Sequence, residues 1–186
     1  MDDAPIEIGL PERLTYREDG LHLEIVRRWF GPKFLFLTAF TVFWDGFLVF
    51  WYDQAIGSGD TLMLVFPLLH VGVGIGLTYY VIAGWLNRTQ VYVDKAGLHV
   101  RHRPVPWIGN INVPSLELKQ LYVKEKESRT RNGTSVSFEV RAVTHGGRNI
   151  KIVDGLETQE QAFFIEQKVE KFLGIKDMAV PGELKG

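Results

Sequence analysis

Two ionisable side chains stand inside otherwise apolar sequence: Asp45 within the run Phe34–Tyr52, and His70 within the run Leu62–Leu86. An acid and an imidazole can pass a proton or share a hydrogen bond. A lone charge at the centre of a bilayer costs about 2.5–3.5 kcal/mol, so each of the two calls for a partner. In an antiparallel helical pair they would lie at equal depth, being symmetric about the Gly57–Ser58 bond. Four readings follow: polar glue that sets the register of the pair, a proton or ion relay, a contact with a partner's helix, or ligation of a metal or pigment by His70. One His and one Asp fall short of the three or four protein ligands of a dedicated metal site, so no cofactor is expected. A relay built on two spans per chain would need an oligomer. Gly46, beside Asp45, and the GxxxG pair Gly72 and Gly76 offer small surfaces for helix packing. The run GVGIG has no dinucleotide meaning, because it lies inside an apolar helix with no strand before it.

The remaining candidates are surface groups. In Arg103–Asn110, Pro104 and Pro106 hold the chain extended and out of any ladder. Trp107 and Ile108 either fold back onto a core or form a docking surface for a partner or for lipid headgroups. Arg101 and Arg103 beside them could meet anionic lipid. Residues Lys124–Arg131 mix Lys and Arg with Glu125 and Glu127, as a solvated hairpin tip does. His22, His99, His102 and His145 are dispersed, and Ser128 and Ser135 lie in no nucleophile-elbow context. No catalytic constellation emerges, and the chain is expected not to be an enzyme. A formal net charge of −1, a pI near 6.5 and no basic stripe with stacking aromatics argue against nucleic acid. There is no cysteine, hence neither disulfide nor thiolate chemistry.

The elements that would position Asp45 and His70 are two spanning helices, predicted over residues 34–52 and 62–86. A span needs about 20 apolar residues, and both runs meet that length. Pro67 removes one hydrogen bond from the second and predicts a kink near the turn. Aromatic residues mark the ends: Trp29, Phe30, Trp51, Tyr52 and Trp85. Arg27, Arg28, Lys33 and Arg88 flank the pair on the outside, whereas the connection holds only Asp53 and Asp60 as charges. Cationic flanks stay cytoplasmic, so both termini are expected on the cytoplasmic side of an inner membrane or its equivalent. The first run starts too far from Met1, and is too bulky, for a cleaved signal peptide.

Strand patterns flank the pair. Leu14 and Tyr16 alternate, Glu18-Asp19-Gly20 turns, and Leu21, Leu23 and Ile25 alternate again. After the second span, Val91 and Val93, a turn at Asp94–Gly97, then Leu98 and Val100 repeat the plan. Gly20-Leu21-His22-Leu23 is echoed in Gly97-Leu98-His99-Val100. Further strands are expected over Leu116–Val123, around Val136–Ala142 and at Ile150–Ile152, with Ser128–Thr134 as a loop tip. Thr158 with Gln161 starts a helix over 158–173 that Gly174 ends.

Two strands, a membrane hairpin, about five strands and a closing helix define an α+β membrane protein. The order resembles bacterial membrane proteins with a pleckstrin-homology-like (PH-like) domain of unknown function. It implies a transmembrane hairpin inserted into a PH-like antiparallel sandwich or barrel closed by the C-terminal helix. The segment Gly97–Gly174 is also similar to the photosystem I assembly factor of plastids and cyanobacteria. That similarity rests on GLHVRHRPVPWIGNINVP, on LELKQLYVKEKE and on the Thr-x-x-Gln helix start. The β segment before the first span departs from that family. The resemblance implies an assembly or scaffold role and transfers no functional residue. The expected organisation is 1–30 as the first part of a split domain, 31–88 as the membrane hairpin, 89–175 as the rest of the domain and 176–186 as a tail. The function expected is that of an interaction module within a larger membrane complex, with other membrane proteins, copies of itself or lipid as partners. The alternative is a proton or ion relay through Asp45 and His70.

Overall fold

The computed structural model describes residues 9–130, 133–176 and 184. The readings of Arg131 and of most of the tail lie outside these. In chain order the elements are β1 (Leu14–Glu18), β2 (Leu23–Arg28), α1 (Pro32–Ser58), α2 (Thr61–Val65), α3 (Leu68–Leu86), β3 (Arg88–Val93), β4 (Gly97–Arg103) and β5 (Ile111–Pro114). A 3-10 turn (Ser115–Glu117), β6 (Leu118–Thr130), β7 (Gly133–Thr144), β8 (Asn149–Leu156) and α4 (Gln159–Leu173) complete the chain. Two compact units result: a sheet unit of Met1–Arg28, Thr89–His102 and Trp107–Gly186, and a helical unit of Trp29–Arg88 and Arg103–Pro106. The mixed α+β architecture expected from the sequence is what the chain forms.

Within the sheet unit, one sheet runs β1-β2-β3-β4-β5 and the other β6-β7-β8. Strands from before and after the helices are therefore neighbours in one sheet. Both of the echoed turns are held by an aspartate. Asp19 Oδ1 accepts from the backbone N–H groups of Leu21 and His22 at 3.0 and 2.8 Å. Asp94 Oδ1 accepts from Ala96 and Gly97 at 2.7 and 3.0 Å. Gly97 must be glycine because a Cβ there would stand 2.3 Å from the Val113 carbonyl oxygen of β5.

Alternation puts Leu23, Ile25, Val91, Val93, Leu98, Val100 and Val113 on the inner face of the first sheet. They join Leu121, Val123, Val140, Ala142 and Leu156 of the second, and Ala162, Phe164, Ile165 and Val169 of α4, in one core. Thr158 caps α4 by accepting from Gln161 N–H at 3.3 Å, and Gly174 ends it at φ +66°.

Three strand readings change. Leu21 lies in the turn before β2 and is 59 % exposed, outside the alternation that buries Leu23 and Ile25. Leu116 does not open a strand: it lies in the 3-10 turn and is 91 % exposed. Proline at 114 has no N–H to continue a ladder, and Ser115 instead donates to the Ala96 carbonyl. Of the expected loop tip, residues 128–130 and 133–134 are strand, while 131 and 132 lie outside the described residues. Ser128 pairs with Ser135, Arg129 with Thr134 and Thr130 with Gly133, so β6 and β7 run on as a two-stranded ribbon. Polar residues at every position hid it, because a ribbon solvated on both faces shows no period-2 pattern.

In the helical unit, α1 and the stretch Thr61–Leu86 are each long and apolar enough to cross a bilayer. Only 17 % and 11 % of their most apolar windows are buried within the chain, which sets them apart from the core helices of a soluble protein. At 1.5 Å per residue, the 27 residues of α1 span about 40 Å. The helix absorbs most of the expected connection and leaves a turn at Gly59, φ +69°, and Asp60. Its buried positions Phe34, Thr41, Leu48 and Ala55 recur every seven residues. On α3 the buried positions are Gly74, Val81, Ala83 and Gly84, the first two of them seven apart. The seven-residue repeat of α1 is that of a helix in a left-handed coiled pair.

Candidate functional site in the helical pair

Pro67 interrupts the second span between α2 and α3. Lacking an N–H, it cannot serve the carbonyl of Met63 four residues back. Trp51 of α1 does so instead, its indole N–H donating to the Met63 carbonyl at 3.0 Å. The neighbouring Leu64 carbonyl accepts from the Tyr52 hydroxyl at 3.1 Å. Further along, Trp44 donates to the His70 carbonyl at 3.2 Å, and Trp85 of α3 donates to the Thr38 hydroxyl at 2.9 Å. In hydrocarbon, where water cannot satisfy a freed carbonyl, such donors have to come from the neighbouring helix.

Asp45 and His70 do not bond to each other. The Asp45 carboxylate accepts from the Thr78 hydroxyl at 2.7 Å and lies over Gly74, where a Cβ would stand 2.6 Å from Oδ1. The His70 ring stacks on Trp44 at 5.8 Å and 25° and meets Phe66 at 5.8 Å. Its Nδ1 is enclosed without a hydrogen-bond partner, as is the Thr41 hydroxyl. The divergence is geometric. Every Cα–Cβ bond of an α-helix tilts toward the helix N-terminus. On α1 that direction leads away from the turn, and on α3 it leads toward it. Side chains at equal depth on the two helices therefore lean apart, and Asp45 meets α3 beyond His70.

The glycines divide in the same way. Gly74 and Gly84 are the ones that let the helices close: a Cβ on Gly84 would fall 1.8 Å from the Phe34 ring. Gly46, Gly72 and Gly76 are exposed, with nothing within 4 Å of a Cβ built on them. They do not pack the pair internally.

Of the docking residues, Ile108 is 86 % exposed and Trp107 is half-buried, both in the sheet unit. Arg101 turns back on its own strands, donating to the Val100 and Ile111 carbonyls at 3.1 Å each. Arg103 is exposed and belongs to the helical unit. A clamp that the sequence did not announce holds that segment. The buried Asn87, at the end of α3, donates through Nδ2 to the Val105 carbonyl at 3.0 Å and accepts from Val105 N–H at 2.7 Å. The Tyr79 hydroxyl donates to the Pro106 carbonyl. An asparagine just past an apolar span was the available signal.

The structure also gathers two of the histidines that look scattered in sequence. His22 of the β1–β2 turn stacks on Tyr92 of β3 at 5.4 Å, and its Nδ1 lies 2.5 Å from the Tyr92 hydroxyl. On the other side of Tyr92 stands His99 of β4 at 6.0 Å, with Nε2 at 3.8 Å from Asp94. The Gly-Leu-His echo was the trace of this arrangement. Among the described residues, no group of three His, Asp or Glu side chains could hold a metal ion. Compared with protein-family models and with curated proteins, the chain matches none.

Proposed function

We propose that the chain is a membrane-anchored interaction module, acting as a subunit, assembly factor or scaffold of a larger membrane complex. In this reading the helical pair crosses the bilayer with both termini cytoplasmic, and the sheet unit is a PH-like sandwich. The observation that carries it is the state of His70. Asp45 is satisfied by Thr78, so His70 is not needed as glue within the pair. A half-buried imidazole at membrane depth, with one nitrogen enclosed, offers its other nitrogen to a polar group on a neighbouring helix.

The test is native electrophoresis of membranes solubilised in mild detergent. The wild-type chain should migrate in a stoichiometric assembly with other membrane proteins. His70→Phe, which keeps the ring stacking, should release a folded chain from it. A wild-type chain that runs alone, or an assembly indifferent to His70→Phe, refutes the reading. Proton flux through liposomes holding the purified chain, abolished by Asp45→Asn, would favour the relay instead. For topology, a Ser58→Cys variant should label only from the side opposite the cytoplasm.

A further inference from the structure

Arg88 follows Asn87 directly, and Arg103 stands two residues before the Val105 peptide that the Asn87 side chain holds. Contacts between β3 and β4 set their register: Thr89 meets His102 at 3.0 Å, and Tyr92 meets His99. In an antiparallel pair this puts Arg88 level with Arg103. Like charges directly opposite one another on adjacent strands are destabilising. Both arginines are nevertheless exposed, and among the described residues neither forms an ion pair with a carboxylate.

No countercharge is at hand in the helical unit. Its acids are Asp45, inside the pair, and Asp53 and Asp60, beside the turn at the opposite end. Lys33, near the start of α1, adds positive charge at the arginine end. Phe30 and Trp85 pack together there at 4.5 Å, with Tyr79 close by in sequence, as rings at headgroup level do. Orientation alone would account for Arg88 and Lys33, which flank the spans. It does not account for Arg103, at the far end of β4, two residues before the peptide that the buried Asn87 amide holds.

We propose that Arg88 and Arg103 form a binding site for the phosphate of an anionic lipid in the leaflet where the helical pair begins and ends. The phosphate oxygens accept from both guanidinium groups and supply the charge that the protein withholds. The Asn87 clamp sets the spacing of the two arginines. The inference rests on the membrane reading, and its test separates the two.

Full-length chain is placed in nanodiscs of phosphatidylcholine with or without phosphatidylglycerol. Lipid retained after mild delipidation is then counted by native mass spectrometry. Wild type should retain phosphatidylglycerol in preference to phosphatidylcholine. Arg88→Gln or Arg103→Gln should weaken that retention about fivefold each, as expected of about 1 kcal/mol per basic residue near a membrane surface. The Lys variants should recover part of it, and Arg17→Gln, in the sheet unit, should change nothing. Equal retention of both lipids, or retention unaltered in the double Gln variant, overturns the site while leaving the membrane reading intact. Displacement of the lipid by millimolar inorganic phosphate also overturns it, in favour of a free-anion site. A chain that does not insert, as read by carbonate extraction, overturns both.

Discussion

The bond from Trp51 to Met63 exists because of Pro67, and that dependence can be measured. Proline leaves the Met63 carbonyl without its intrahelical donor, and the Trp51 indole supplies one from α1 at 3.0 Å. Trp51→Phe keeps most of the ring and removes the donor. Interhelical hydrogen bonds in membranes contribute about 0.6 kcal/mol on average and up to about 1.7 kcal/mol. A carbonyl that can find no other partner belongs at the upper end, so a loss of about 1–1.5 kcal/mol is expected, plus a smaller loss of packing. Pro67→Ala restores an N–H at that position and lets α2 and α3 join. In that background the Met63 carbonyl no longer needs the indole, and Trp51→Phe should cost only the packing component. The difference between the two backgrounds is a coupling of about 1 kcal/mol, free of the packing loss because that loss is common to both. Unfolding of the purified chain in mixed micelles, followed by far-ultraviolet circular dichroism, gives all four stabilities. A Trp51→Phe cost equal in both backgrounds to within about 0.3 kcal/mol refutes the account of the orphaned carbonyl.

Three further outcomes are expected. Gly84→Ala forces a methyl into the Phe34 ring and should destabilise the helical pair by about 1–3 kcal/mol, whereas Gly72→Ala and Gly76→Ala should leave the purified chain as stable or slightly more so, all read by the same micelle unfolding. Burial lowers the pKa of His102, which also contacts the Thr89 hydroxyl. Its protonation is therefore harder in the folded state, so stability should be full above about pH 6.5 and fall as pH drops below that value, and thermal melts of His102→Gln should lose that slope. The backbone N–H of Gly97, with that of Ala96, holds the Asp94 carboxyl below the ordinary range. Its contribution is present above about pH 4 and lost as pH falls through the lowered value, so Asp94→Ala should be less stable than wild type at neutral pH, with melting temperatures that converge in acid.

The parts of this fold that the sequence made readable are those where one physical signal dominates. Two apolar runs became two long helices, and Pro67 broke the second where its missing N–H required. Thr158, Gln161 and Gly174 bounded α4 to within a residue. Alternation gave β1 to β4, because one face of each is buried. Where the signal is weak the readings shifted. The strand β5 is four residues long at a sheet edge, too short to alternate visibly. The outer half of the β6–β7 ribbon buries nothing and so carries no pattern.

The Asp45–His70 reading shows a different limit. Counting residues from the turn gives the depth of a Cα but not the direction of its side chain. In an antiparallel pair the two tilts are opposed, so polar partners should be sought between residues offset from equal depth, with the residue of the second helix displaced away from the turn for an acid on the first. Thr78 is such a residue for Asp45. Thr38 and Trp85, joined at 2.9 Å, are offset in the same sense. Trp44 and His70 meet nearer equal depth: the indole bonds a backbone carbonyl, whose position the side-chain tilt does not move, and the two large rings also reach each other at 5.8 Å. The same rule explains the glycines: Gly74 and Gly84 lie where side chains of α1 lean onto α3, while Gly72 and Gly76 lie on the opposite face. A small-residue motif in a spanning helix thus marks a close approach only when its face is the one turned toward the heptad seam of the facing helix.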